Sequence, residues 1–332
     1  MASLAFPTLA KKATLSDGTT YGYIHVPPAA PSKPTFLLLH GAPSSSYIWH
    51  HQIELLPKAG FGVIAPDLLG YGDTDRPEAL EAYQFSRMVP QVYELVTKAV
   101  GVEKVIGVGH DFGSPLLSHL YVHHKELFSG LIFVAAGFTI VDTRLNLDTL
   151  IAVSKQMLGY STSGYMQVFL SSEGSSLVEK NAGAFDSLMF AKDPEAWKEH
   201  LCAEGALQKF LEAGKELPVA DWISPEELAT HQRILKGGYD GVFNWYKAIA
   251  FLDPAKEDQD LSSEDQKITV PTLFIATTKD YAIIPAVQVH MTREAAQDNL
   301  KIETLDTGHW AMLEAKETVE KMFEEFASGL SM

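Results

Sequence analysis

The chain has 332 residues, 46% of them hydrophobic, and carries 26 basic against 42 acidic side chains for a net charge of −16. This length accommodates one large α/β domain with an insertion, or two domains, and the negative balance disfavours nucleic acid and anionic membrane surfaces as partners. The lone cysteine, Cys202, excludes an internal disulfide. Without a signal peptide, a bilayer-length apolar run or a Cys/His zinc spacing, a cytoplasmic protein with no nucleic-acid partner and no membrane insertion is expected.

In chain order, a first hairpin region contains the short proline-rich loop Pro27 to Pro34. Strand-like runs bounded by turn residues follow at Thr35 to His40, Gly62 to Asp67, Val105 to His110 and Gly130 to Ala136, each separated from the next by a helix-length segment. That alternation predicts a parallel α/β sheet. From Gly137 to Pro271 no comparable buried strand occurs. Instead Pro194 to Leu211 has the spacing of an amphipathic helix, and Ser224-Pro225-Glu226-Glu227 combines an N-cap serine, an N1 proline and an N3 glutamate. Strand character resumes at Thr272 to Thr277 and at Lys301 to Leu305. The expected class is therefore α/β, a mostly parallel central sheet flanked by helices, with a helical lid (cap) inserted after the sixth strand. The boundaries read as 1–139 and 253–332 for the core and 140–252 for the cap, which would lie over the carboxyl ends of the strands, where open α/β sheets bind ligands.

Gly109-His110-Asp111-Phe112-Gly113 closes one strand-like run and opens a helix-like one, with Asp111 at the apex of the turn. The same elbow usually carries serine, as G-x-S-x-G. A serine attacking saturated carbon would become an ether that activated water does not readily cleave, whereas an aspartate becomes an ester whose carbonyl water can attack. Asp111 thus points to displacement at sp³ carbon. Breaking the ester calls for a histidine base and an acid to orient it. His309 and Asp280 follow the last two strand-like runs and supply both. Asp306 is a rival acid that ranks below Asp280. The loop His40-Gly41-Ala42-Pro43 follows an earlier strand, so the backbone N–H groups of Ala42 and Phe112 are the expected oxyanion donors.

Other patterns carry less. Gly107-Val108-Gly109-His110-Asp111-Phe112-Gly113 superficially matches a dinucleotide fingerprint, but its third glycine comes one residue too late, so no nicotinamide or flavin cofactor is expected. His50-His51 and His119, His123 and His124 have no carboxylate at ligand spacing and read as packing or surface residues; no metal is expected. His110 reads as scaffold.

HGAP at 40–43, PDLLGYGDTDRP at 66–77, GHDFG at 109–113, KDY at 279–281 and GHW at 308–310 span nearly the whole core. In these motifs the chain resembles the aspartate-nucleophile epoxide hydrolases of the α/β-hydrolase superfamily. The resemblance implies that a small-molecule epoxide and water become a vicinal diol through an Asp111 ester, without a cofactor. It also implies two lid tyrosines that donate hydrogen bonds to the epoxide oxygen. Tyr165 in Gly164-Tyr165-Met166-Gln167-Val168-Phe169 and Tyr246 in Phe243-Asn244-Trp245-Tyr246 match them, and His40, Gly41, Pro43, Trp245 and Trp310 are expected to line the pocket. Two positions depart from the family pattern. Ala42 stands where a bulky aromatic is common, which is expected to enlarge the pocket floor by about a ring's volume, and Phe112 stands where tryptophan is frequent. A haloalkane or haloacid dehalogenase would share the nucleophile, but its halide or carboxylate grip is missing at Ala42 and Phe112. A non-catalytic hydrolase-like binding protein is a further alternative, opposed by the intact triad. The oligomeric state is left open.

Overall fold

The computed structural model describes residues 2–330. A single sheet holds β1 (Ala10–Thr14), β2 (Thr20–Val26), β3 (Thr35–Leu39), β4 (Gly62–Pro66), β5 (Val105–His110), β6 (Phe128–Val134), β7 (Thr272–Thr277) and β8 (Leu300–Leu305) in the order β1-β2-β4-β3-β5-β6-β7-β8. The β1/β2 and β2/β4 pairs are antiparallel. All pairs from β4 to β8 are parallel. Every residue of β3, β4, β5 and β7 is buried. This is why they read as continuous apolar runs, since helices cover both faces of a parallel sheet. The edge strand β8 has no fully buried residue.

The sixth strand lies two residues earlier than its sequence pattern predicts. It ends at Val134 because Ala135 adopts φ 63°, a left-handed conformation that turns the chain out of the sheet. The order reverses at β3, which lies between β4 and β5, and Leu39 of β3 is paired with Gly109 of β5. The loops leaving these neighbours, with Ala42 and Asp111, therefore emerge side by side at a topological switch point.

Among the described residues, the span between β6 and β7 contains helices and one isolated bridge, Ala191 with Val219, and no strand of the central sheet. The expected helix from Pro194 to Leu211 is instead two pieces. A π-helical turn, Trp197–Cys202, is followed by a break at Gly205 with φ 68°, and then by Ala206–Ala213. The cause is tertiary: Gly164 N–H bonds the Cys202 carbonyl at 2.9 Å, and a side chain at Gly164 would collide with the Ala203 backbone. The capping box forms as read, Ser224 capping Pro225–Leu235 with Glu227 reciprocating. The following helix, Tyr239–Phe251, is fastened to the core by Trp245 Nε1, which donates to Leu69 O at 2.8 Å. A Cβ at Gly241 would run into the Gly70 backbone, so only glycine lets the helix seat this closely. Among the described residues no helix is long and apolar enough to cross a membrane.

Candidate active site

Asp111 sits between β5 and the helix Gly113–His123 with φ 51°, a strained value for a non-glycine residue that lifts its carboxylate off the strand line. A Cβ at Gly41 would occupy the carboxylate's place. Ala42 N–H donates to Asp111 Oδ1 at 2.7 Å, and the Phe112 N–H also stabilises the carboxylate. Burial pushes the Asp111 carboxyl above the usual range, against the opposing pull of His309 and these N–H groups. Oδ1 is thus held by the Ala42 N–H, while Oδ2 faces His309.

His309 Nε2 lies 3.8 Å from Asp111 Oδ2, and its Nδ1–H donates to Asp280 Oδ2 at 2.6 Å. Asp280 Oδ1 in turn accepts from the N–H groups of Ala282 and Ile283 at 3.1 and 3.2 Å. This fixes the tautomer, with the Nε2 lone pair facing the nucleophile. Burial alone would depress the imidazole, but Asp280, aided by Asp111, outweighs it and holds His309 above its ordinary value. Asp306 is spent elsewhere, accepting from Thr278 Oγ1 at 2.9 Å and Lys279 Nζ at 2.8 Å on the exposed side of the loop.

Tyr246 comes from Tyr239–Phe251, and Tyr165 immediately precedes the short helix Met166–Phe169. Their rings are 6.0 Å apart and perpendicular, wedged by Phe169 and by Phe112, which meets Tyr246 edge-on at 4.7 Å. Burial, reinforced by the Asp111 charge, raises both phenols, so each remains a proton donor at neutral pH. A cavity of about 30 Å³ is lined by Ala42, Pro43, Asp111, Tyr165, Tyr246 and His309, with Phe169, Met189, Trp197, Leu201 and Ala282 completing the wall.

Several expectations need correction. Of the five residues expected to line the pocket, Pro43 lines this cavity, and Trp310 lines an adjoining one that shares Met189, Trp197 and His309 with it. His40 is buried beneath the loop, accepting from Leu68 N–H at 2.9 Å, and Gly41 underlies Asp111. The indole N–H groups of Trp245 and Trp310 are committed to Leu69 O and Met189 O, and Trp245 lines neither cavity. Beside Ala42 the wall is completed by Met189, Trp197 and Leu201 from the span between β6 and β7, which occupy part of the space the small side chain leaves. These wall residues carry no sequence signal beyond hydrophobicity. Glu314 also escaped the sequence reading: it accepts from Gly308 N–H at 2.7 Å and Trp310 N–H at 3.1 Å, clamping the loop on both sides of His309. His110 is buried scaffold, its Nε2–H donating to the His309 carbonyl at 2.9 Å and so holding the histidine loop.

The α/β hydrolase fold family matches residues 34–316, most of the chain. The chain belongs to the α/β-hydrolase fold family. Among this hydrolase's relatives, epoxide hydrolase A of Mycobacterium tuberculosis is 29% identical over 91% of this chain and 92% of that protein. Bifunctional epoxide hydrolase 2 of Sus scrofa is 22% identical over 97% of this chain, which spans only 58% of that longer protein. Among solved structures, epoxide hydrolase A from Mycobacterium thermoresistibile superposes with a TM-score of 0.76 at 24% identity, covering 97% of this chain and 99% of that one. An epoxide hydrolase from an endophytic Streptomyces gives 0.78 at 22%, covering 97% and 95%. These structures share the α/β-hydrolase fold.

Proposed function

We propose that this protein is an epoxide hydrolase, with residues 140–252 acting as a cap over the core. The observation that carries the reading is the convergence on one chamber of two tyrosines, a carboxylate at a nucleophile elbow and a histidine backed by an aspartate. Asp111 Oδ2 attacks a ring carbon, the C–O bond breaks, and Tyr165 and Tyr246 donate to the leaving oxygen as it becomes a hydroxyl. His309 then takes a proton from water, whose oxygen adds to the ester carbonyl. The carbonyl oxygen, held by Ala42 and Phe112 N–H, carries the negative charge of the tetrahedral intermediate. Collapse releases the diol, returns the protons, and leaves one water oxygen in the aspartate.

The committed indoles favour this over halide chemistry. Trp197, Trp245 and Trp310 all surround the site, and each indole N–H already donates to a backbone carbonyl, of Leu188, Leu69 and Met189 respectively. A leaving halide would find no indole donor among them, whereas an alkoxide meets the phenols. The chamber, about 30 Å³, is narrow and walled by both core and cap, so the cap is expected to move as a bulky epoxide enters. A cytoplasmic setting fits the free, buried Cys202.

In a single turnover with excess enzyme in ¹⁸O-water, the first diol is expected to carry unlabelled oxygen from Asp111. Label appearing directly in that diol would exclude the ester route. Release of halide from haloalkanes with no turnover of any epoxide in a broad panel would replace this reading with dehalogenation.

A further inference from the structure

Two clusters outside the active site bring histidines to a carboxylate, and in each the carboxylate is remote in sequence: His119 and His123 meet Asp258, while His50 and His51 meet Glu227. Their hydrogen bonding separates them. His119 Nε2 accepts the Val141 N–H at 3.0 Å, which leaves the ring proton on Nδ1, and Nδ1–H donates to Asp258 Oδ1 at 2.9 Å. His123 Nε2 donates to the same oxygen at 3.0 Å. Both ring nitrogens of His119 are used, and a cation on Nδ1 would force the proton to Nε2, against the Val141 donor. That cluster is a closed hydrogen-bond network.

The other cluster is open. His50 Nδ1–H donates to the Tyr47 carbonyl at 2.9 Å, so in the neutral ring Nε2 carries the lone pair. That lone pair faces Glu227 Oε1 at 2.8 Å, an acceptor against an acceptor. His51 Nε2 approaches the same oxygen at 3.5 Å and is buried without a hydrogen-bond partner. A proton between His50 and Glu227 would relieve the first conflict but leave the His51 nitrogen unserved. A cation at the meeting point serves all three atoms. A histidine ligand whose other ring nitrogen donates to a backbone carbonyl is the usual outer arrangement of metal sites. Two imidazoles and a carboxylate form a donor set for zinc or a related divalent transition metal, with a coordination position left for water.

The surroundings agree. Glu54 and Glu226 lie close enough to act on Tyr47, and Glu317 and Lys316 close enough to act on His51. Glu227 Oε2 is engaged by Ser224 N–H at 2.6 Å, which fixes the carboxylate and leaves Oε1 to the histidines.

We propose that His50 Nε2, His51 Nε2 and Glu227 Oε1 form a divalent transition-metal site that ties the lid helix Pro225–Leu235 to the core helix His50–Leu55. The histidines open the helix that follows the oxyanion loop in the chain, so the metal would brace the lid against the element into which that loop leads. Binding to the folded chain alone would stabilise it by mass action.

The test uses the full chain, stripped with chelator and titrated with Zn²⁺ by calorimetry, with Co²⁺ absorption reporting ligand geometry. One Zn²⁺ per chain is expected, together with a rise in the unfolding midpoint. His51→Gln and Glu227→Gln are each expected to weaken binding by at least about tenfold, comparable to the loss of a supporting group around a metal. Glutamine at position 227 keeps the capping box, so that variant tests the ligand rather than the helix. His123→Gln is expected to bind Zn²⁺ as the parent does. Absence of saturable uptake by the parent would overturn the proposal. So would equal affinity in parent, His51→Gln and Glu227→Gln, or an unfolding midpoint that responds to pH but not to Zn²⁺, which would assign the contact to a proton alone.

Discussion

The central sheet and the lid solve different problems with different kinds of order. β3, β5 and β7 are buried along their whole length and deliver Ala42, Asp111 and Asp280 from loops that cannot shift without disturbing the core. The lid is a series of short helices, and its first, Leu147–Leu158, exposes Leu150, Val153, Met157 and Leu158 at 38, 45, 53 and 39%. A helix that leaves this much apolar surface in water contributes little burial and opens at low cost. The groups that form and break the ester come from the rigid part. The groups that receive the leaving oxygen and shape the chamber come from the part expected to move. Bond chemistry and substrate selection are thereby separable by mutation.

The largest expected effect is in the core. Asp111→Asn is expected to remove ester formation, lowering turnover by at least about 10⁴-fold, the scale of deleting a nucleophile. His309→Gln is expected to allow alkylation yet trap the ester, visible as an added substrate mass on the intact protein. Full turnover with unmodified protein would remove His309 from its role and erase the distinction between the two regions.

In the lid, Tyr165→Phe and Tyr246→Phe are each expected to slow alkylation, and the double change by about 10²- to 10⁴-fold, the usual worth of positioned acid catalysis. Hydrolysis of an ester already formed is expected to keep its rate. Ester formation by the double variant at the parental rate would return the reaction to the core alone.

The pH dependence sharpens the same division. Neutral His309 is the base, and its value is raised, so ester hydrolysis is expected to fall on the acid side from a point above the ordinary histidine value of about 6.5. The stability contributed by protonated His309 beside Asp280 runs the other way. It is fully present below the unfolded value and is lost as pH rises through the higher folded one. A single-turnover hydrolysis rate flat from pH 6 to 8 would contradict this assignment.

The smallest effect lies at the back of the core. Glu320 is buried on the helix Lys316–Gly329, neither carboxylate oxygen has a partner, and burial pushes the group from 4.5 to about 8. Its folded value exceeds its unfolded one, so stability is expected to decline as pH rises between them. Glu320→Gln is expected to flatten that decline and to gain about 1 kcal/mol near pH 8, measured by denaturant unfolding. An unchanged pH profile in the variant would show that Glu320 is solvated.

Much of this protein was determined locally. The buried strands announce themselves as unbroken apolar runs because both faces of a parallel sheet are covered. The elbow glycines mark Asp111 because the turn and the close approach of Gly41 leave no room for side chains. Asp280 and His309 are legible because each directly follows a strand, so local sequence already sets their place at the sheet's carboxyl edge. Other features depend on what meets across the lid seam. Trp245 is expected in the pocket, but its indole N–H is drawn to a backbone carbonyl that only folding brings near. Met189, Trp197 and Leu201 occupy part of the space beside Ala42 through packing that apolar identity alone does not specify. The break at Gly205 follows from contact with Gly164, and Glu227 reaches His50 across 177 positions of sequence. Periodicity and turn chemistry encode which elements form. The direction of a side chain across an interface is decided by the competition of partners from both sides, and those partners exist only once the lid has docked.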